Sequence, residues 1–298
     1  MSFLDAVWQG ILQGLTEFLP VSSSGHLAVY QELFTESGSS TFMTVMLHFG
    51  TLVAVFIAFR KTIWALIKEF FVMVGDLFKG KKIFQNMGPE RRMICMLVLS
   101  LCPLLVIYPL IKLTPLDDLL DHPPLIMVGI CFLITSAILF FSDRCTKENV
   151  NKGNTLPRQA FFVGGMQCIA LLPGVSRSGS TVCGGLFCGF NREYAVEYSF
   201  ILGIPAVLGA FLSELLDALT GEAGVLVTNE IPAILLGMVI SAVVGLGAIW
   251  MVKWLVKTRK FKIFALYTLI LGILVCALCI ATSLSGAESV RALLGLAG

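Results

Sequence analysis

Charge is the scarcest property of this chain. Only 13% of its 298 residues are Asp, Glu, Lys or Arg, against 57% hydrophobic, and the mean hydropathy is +0.89. A water-soluble domain needs a polar surface, so this balance excludes one and marks an integral membrane protein. A formal net charge of +2 gives no reason to expect a nucleic-acid partner. No Asp-rich cluster occurs, no apolar run shows the two-residue alternation of a barrel strand, and no soluble domain, low-complexity tail or linker interrupts the chain. The N-terminus lacks the basic flank of a cleavable signal. Most of the nine cysteines lie within apolar runs, and the Cys276/Cys279 pair has no nearby His or second Cys pair, so it reads as small apolar packing.

What is present is a set of six apolar runs, at about 41–59, 93–113, 123–142, 195–216, 231–252 and 263–284. Each is close to the ~20 residues that a helix needs to cross the hydrocarbon, and helices are required because lipid offers the backbone no hydrogen-bond partner. The basic residues fall in alternate loops. Of 21 Lys and Arg, eight lie in 60–92, four in 144–158 and five in 253–262, whereas 114–122 carries Asp117, Asp118 and Asp121, and 217–230 carries Asp217, Glu222 and Glu230. The positive-inside rule therefore places the three basic loops in the cytoplasm, and the acidic loops and both termini outside. Loop 60–92 interleaves Trp64, Phe70, Phe71 and Phe78 with charges, the pattern of a helix lying on the inner leaflet. The Lys79–Lys82 cluster there suits topology and anionic lipid contact. Pro103, Pro109 and Pro205 are expected to kink their spans around an internal cavity.

Two polar segments break the apolar pattern and are related to each other. Gln13 to Leu27 reads QGLTEFLPVSSSGHL, and 154 residues later Gln167 to Thr181 reads QCIALLPGVSRSGST. At that offset Gln13, Val21, Ser22, Ser24 and Gly25 fall on identical residues, while Ser23 falls on Arg177. Chance similarity of two Ser/Gly turns is the plain alternative. Three spans lie between the copies, so a repeated segment would enter the membrane from the opposite side. Each copy has an apolar stretch too short to span, then a polar turn, then more apolar residues. Segments 1–40 and 159–193 thus read as re-entrant hairpins within one membrane domain, their turns sharing an internal cavity.

The turns carry the chemistry. Glu17 lies four residues after Gln13, so both side chains share a helix face; an ionisable group at that depth needs a function or a partner, here catalysis, a metal, or a hydrogen bond to a helix end. Ser22, Ser23 and Ser24 offer hydroxyls, Gly25 permits close backbone approach, and His26 can move a proton; a Ser run also serves as a helix cap. His48 and His122 are lesser candidates. In the second turn Arg177 stands among Gly174, Ser176, Ser178, Gly179, Ser180 and Thr181, a phosphate-binding fork at the start of a half-helix, or else the ion-pair partner of Glu17.

Gln-x-x-x-Glu, then PVSSSGH, then PGVSRSG in a six-span protein resembles the bacterial undecaprenyl-diphosphate phosphatase family, also called the bacitracin-resistance family. The resemblance covers essentially the whole chain. It implies an all-α membrane fold with six spanning helices and two re-entrant hairpins in inverted repeat, opening to the outer face of the bacterial inner membrane. It also implies removal of the terminal phosphate from the C55 polyprenyl diphosphate, which recycles the lipid carrier of cell-wall synthesis. Bacitracin then competes for the substrate and does not bind the protein, and a homodimer is compatible. Carried over by position, Glu17 and His26 become acid/base or metal-linked groups, Ser23 the nucleophile and Arg177 the diphosphate anchor. Gln13, Ser22, Ser24, Gly25, Gly174, Ser176, Ser178, Gly179 and Thr181 surround the substrate. His26 as nucleophile, or a water activated by Glu17, remains open, as does a polyprenyl-phosphate transporter or flippase, or both activities in one protein. The family associates activity with a divalent cation, Mg or Ca. Its first motif is often Glu-x-x-x-Glu, so Gln13 makes a site at Glu17 one negative charge poorer.

Overall fold

The computed structural model describes residues 3–34, 41–80, 87–121, 123–220, 230–258, 260–287 and 289–295. His122, Lys81, Lys82 and most of the 217–230 loop lie outside these residues. The described chain runs through α1 (Phe3–Phe18), α2 (Ser23–Phe34), α3 (Thr41–Ala58), α4 (Arg60–Phe78), α5 (Pro89–Lys112), α6 (Leu116–Asp121) and α7 (Leu125–Ser142). It continues through α8 (Pro157–Ile169), α9 (Arg177–Phe187), α10 (Arg192–Thr220), α11 (Ile231–Lys257), α12 (Phe261–Ser285) and α13 (Val290–Leu293). No strand forms among the described residues; Val150 and Phe190 make one isolated bridge.

Each of the six apolar runs falls on a long helix. Five of these, α5, α7, α10, α11 and α12, are long and apolar enough to cross a membrane unaided. The sixth, α3, meets the same standard together with α4, which leaves it at 85°. The fold is that of an all-α membrane protein, and its outward surface agrees: Val98, Leu105, Val243, Ile273 and Leu284 stand exposed along the spans, where lipid takes the place of a covering layer. α5 runs through Pro103 and Pro109, and α10 through Pro205. α4 exposes Trp64, Phe70, Phe71 and Phe78 and buries Ile63 and Leu66, as an amphipathic surface helix does.

Between the spans lie two pairs of short helices, α1/α2 and α8/α9, whose packing is reciprocal. α1 lies along α11, and α8 lies along α5. Small residues permit both approaches: a Cβ on Gly10 would stand 2.6 Å from the Gly237 carbonyl oxygen, and one on Gly164 would overlap the Ser100 carbonyl. The offset of 154 that relates the two polar turns also carries Gly10 to Gly164. A polar tie locks the second of these contacts, where Ser100 donates to the Ala160 carbonyl at 2.6 Å; on the first side Ser241 of α11 ties to α3 instead, donating to the Leu47 carbonyl at 2.7 Å. α7 and α12 pack through Gly129 and Gly272, and Cys276 sits against Gly129 as a small packing residue.

Candidate active site

Both short pairs turn for local reasons. α1 ends at Phe18 because Pro20 cannot continue it, and α8 ends at Ile169 ahead of Pro173. In the first turn Ser22 adopts φ +72°, a left-handed conformation unusual for a side-chain-bearing residue; in the second Gly174 takes φ +100°. Each second helix is then capped in the same way. The Ser22 hydroxyl accepts from the Gly25 amide at 3.3 Å, and the Ser176 hydroxyl accepts from the Gly179 amide at 3.0 Å. Ser22 and Ser24 hydroxyls lie 3.3 Å apart, as do those of Ser176 and Ser178. These caps leave the amides of Ser23, Ser24, Arg177 and Ser178 at helix positions that have no intrahelical acceptor.

The turns touch. The Gly174 amide donates to Ser24 at 3.4 Å, Ser178 donates to the Leu19 carbonyl at 3.3 Å, and Gly179 stands against Pro20. At the junction sits Glu17, 7% exposed. Arg177 Nη2 donates to its Oε1. Its Oε2 accepts from Ser23 Oγ at 2.7 Å and from Gln13 Nε2 at 3.0 Å. A buried carboxylate is tolerable here because a cation and two hydrogen-bond donors surround it. Above it opens a cavity of about 200 Å³, lined on one side by Glu17, Ser22, Ser23 and Ser24 and on the other by Ser176, Arg177 and Ser178. That volume is far above the ~15 Å³ minimum for a single water. Two helix N-termini and a guanidinium facing one carboxylate and one hydroxyl make a place that binds an anion beside a group able to attack it.

Among the residues singled out from sequence, the structure brings Glu17, Ser22, Ser23, Ser24, Ser176, Arg177 and Ser178 to the cavity and sets Gln13 behind Glu17. Gly25, Gly174 and Gly179 form the backbone of the turns. Thr181 points elsewhere, to Ser199 of α10 at 2.6 Å. His26 also turns away: its Nδ1 lies 2.7 Å from the Ser22 carbonyl, its Nε2 lies 2.7 Å from the Tyr267 hydroxyl, and its ring packs against Tyr267 and Phe132. A carbonyl only accepts, so Nδ1 carries the proton and Nε2 accepts from Tyr267. The histidine beside the carboxylate is His48 of α3, with Nε2 3.6 Å from Glu17 Oε2 and Nδ1 donating to the Thr44 carbonyl at 2.8 Å. Sequence reasoning missed Gly203 of α10. A Cβ there would overlap Arg177 Nη1, so the guanidinium occupies the space that this glycine leaves.

The residues present do not fit a Mg or Ca ion coordinated by the protein. Glu17 is the one carboxylate lining the cavity, and its oxygens face Arg177, Ser23 and the amide nitrogen of Gln13, all donors. Gln13 Oε1 is buried without a partner, one neutral oxygen behind that carboxylate, so a divalent cation here would take most of its six or more ligands from water or phosphate. Among the described residues no group of three His, Cys, Asp or Glu side chains could hold a metal.

This geometry belongs to a chain whose residues 6–274 match the family profile described as Bacitracin resistance protein BacA. The chain belongs to the BacA family. Similar relatives span it nearly end to end. A protein of Methanosphaera stadtmanae named Undecaprenyl-diphosphatase is 37% identical over 277 residues, covering 92% of this chain and 97% of the relative. A protein of Alkaliphilus metalliredigens with the same name is 37% identical over 283 residues, 92% and 98% of the two chains. A third, from Korarchaeum cryptofilum, is 34% identical over 278 residues, 93% and 100%. BacA-family membership and the membrane fold agree with a lipid-borne substrate meeting a cavity between spanning helices.

Proposed function

We propose that this BacA-family protein is a phosphoric anhydride hydrolase that removes the terminal phosphate of undecaprenyl diphosphate and releases undecaprenyl phosphate. The observation that carries the reading is the convergence of Ser23, Glu17 and Arg177 from two related turns on one cavity. Phosphoryl transfer needs little covalent help from a protein; it needs positioning and neutralisation of negative charge. Arg177 and the free amides at the starts of α2 and α9 supply both. The incoming diphosphate competes with Glu17 for Arg177 and so frees the carboxylate.

Ser23 Oγ then attacks the terminal phosphorus in line while its proton passes to Glu17. The bond from that phosphorus to the bridging oxygen breaks, and undecaprenyl phosphate leaves with the electron pair. Glu17 gives that proton to the departing phosphate and, ionised again, takes one from the water that attacks the phosphoserine; it passes this proton to Ser23 Oγ as the P–O bond to the serine breaks and inorganic phosphate leaves. His26 acts as a positioning residue in this scheme: its two hydrogen bonds fix the carbonyl of Ser22 and so the strained turn that presents Ser23. Gln13 orients Glu17, and Ser24, Ser176 and Ser178 are hydroxyl donors to phosphate oxygens.

The prenyl chain lies among the spans, and the diphosphate enters from the outer face of a bacterial inner membrane, with the two hairpins inserted from opposite sides. Reciprocal packing of α1 on α11 and of α8 on α5 supports that inverted arrangement. The relatives carry a phosphatase name, which favours hydrolysis over transport. The decisive measurement is phosphate release from undecaprenyl diphosphate by purified protein in detergent, where no second compartment exists. Ser23→Ala is expected to lower kcat by about 10³-fold; near wild-type turnover in that variant would remove the serine from the reaction and leave water as nucleophile.

A further inference from the structure

A second cavity, of about 460 Å³, lies toward the other ends of α3 and α10. Its walls are the corner where α3 breaks into α4, with Phe59, Arg60 and Lys61; the first turns of α10, with Glu193 and Glu197; and the last turns of α11, with Lys253 and Lys257. Ten residues separate Glu197 here from Val207 at the first cavity, and ten separate Ala58 from His48, about 15 Å along either helix. The interval is filled. Phe200 packs against Phe18 with ring centroids 5.2 Å apart and against Phe59 at 5.9 Å, and all three rings are buried. The chemistry at Glu17 therefore makes no use of this space.

Its charge is unbalanced. Lys257 is paired with Glu193 at 2.8 Å, and Glu197 accepts from Thr62 at 2.5 Å. Among the described residues no carboxylate comes within salt-bridge reach of Arg60, Lys61 or Lys253. Lys253 instead holds its ammonium 3.9 Å over the Phe59 ring and donates to the Ala58 carbonyl at 3.5 Å, and Arg60 donates to the Ile57 carbonyl at 3.3 Å. Three cations converging on a concave surface concentrate an anion there.

The surroundings identify the anion. α4 leaves the span at 85° and exposes Trp64, and α11 exposes Trp250 and Trp254 in its last turns, near Lys253 and Lys257 in sequence. Lys68 lies over the Trp64 ring and Lys260 over that of Trp254. Exposed tryptophans capped by lysines mark the boundary between hydrocarbon and water, so the cavity opens at the depth of lipid headgroups. We propose that it is a binding site for the phosphate headgroup of an anionic phospholipid, with Arg60, Lys61 and Lys253 as its ligands. A zwitterionic headgroup brings its own ammonium into the cation cluster and is disfavoured.

Native mass spectrometry of the purified protein, titrated with phosphatidylglycerol or phosphatidylcholine, tests this. Wild type is expected to retain one phosphatidylglycerol that phosphatidylcholine does not replace. Arg60→Gln/Lys61→Gln is expected to bind it about thirtyfold more weakly, since each of the two basic groups near an anionic surface contributes on the order of 1 kcal/mol. Lys61→Gln alone, at an exposed position, should show a smaller loss in the same direction and guards against misfolding of the double variant. Size-exclusion behaviour and phosphate release should match wild type in both. Equal retention of phosphatidylglycerol by wild type and Lys61→Gln, or equal retention of the two lipids by wild type, would overturn the proposal. Displacement of the lipid by excess inorganic phosphate would overturn the lipid source in favour of free phosphate.

Discussion

The two polar turns share a scaffold and differ in chemistry. Ser22 and Ser176 cap their helices, Ser24 and Ser178 sit beside the caps at the same 3.3 Å, and Gly25 and Gly179 donate to them. At the first residue of each helix one turn has Ser23 and the other Arg177, and both side chains reach the same carboxylate. That carboxylate has no counterpart: the position equivalent to Glu17 is Leu171. The consequence shows in the glutamines. Gln13 donates to Glu17, whereas neither amide atom of Gln167, also buried, has a hydrogen-bond partner. The two turns thus share the positions that shape them and differ at the positions that face the cavity, a hydroxyl and a carboxylate on one side and a guanidinium on the other.

Glu17→Gln breaks the comparison most severely, because it removes the carboxylate that the second turn lacks. Ser23 would lose its base and Arg177 its counter-ion; kcat is expected to fall by about 10³-fold or more. The half-buried Arg177 can turn to solvent, so the protein should still purify as a folded species. Phosphate release by purified variant and wild type at equal concentration checks this, and a loss below tenfold would show that the carboxylate is structural.

The guanidinium side is tested by Arg177→Lys, which keeps the charge and discards the fork. A fall of about 10²-fold in kcat/KM is expected, because an ammonium cannot bridge two phosphate oxygens in one plane. Gly203→Ala probes the same group from outside the turn. The new methyl would occupy the place of Nη1, and the long side chain can shift at little cost to folding, so about a tenfold fall with an unchanged melting temperature is expected. If Gly203→Ala is fully active, the observed placement of Arg177 is not the one that binds phosphate.

These residues also mark what the sequence made legible. The six apolar runs fall on helices because lipid demands long apolar segments, and the turn relation was readable because caps are set by local residue types. Glu17 and Arg177 stood out as charges in apolar surroundings. Gly203 did not, since a glycine in a span looks like any other small packing residue until the side chain that fills its space, from another helix, is known. The two histidines behaved alike for that reason. His26 has the sequence neighbourhood of a catalytic group, yet α12 supplies Tyr267 as its partner; His48 sits in an apolar run, yet α3 packs so that it faces Glu17. Local pattern specifies turns and spans, and tertiary packing decides which polar groups meet.

The finest difference between the turns lies in the caps themselves. Ser176 has φ −69°, in the range ordinary for any residue, whereas Ser22 has φ +72°. Glycine replaces a serine cap at a loss of only a few tenths of a kcal/mol, and it relieves a left-handed conformation that burdens other residues by ~1–2 kcal/mol. The same substitution should therefore act in opposite directions. Ser176→Gly is expected to lower stability by about 0.5 kcal/mol, through the weaker cap and the extra freedom of the unfolded chain, whereas Ser22→Gly should raise it by about 0.5 kcal/mol or leave it unchanged. Thermal unfolding of both variants in one detergent reads the sign directly. Equal destabilisation would mean that the first turn relaxes out of the left-handed region, and the strained presentation of Ser23 would then have no basis.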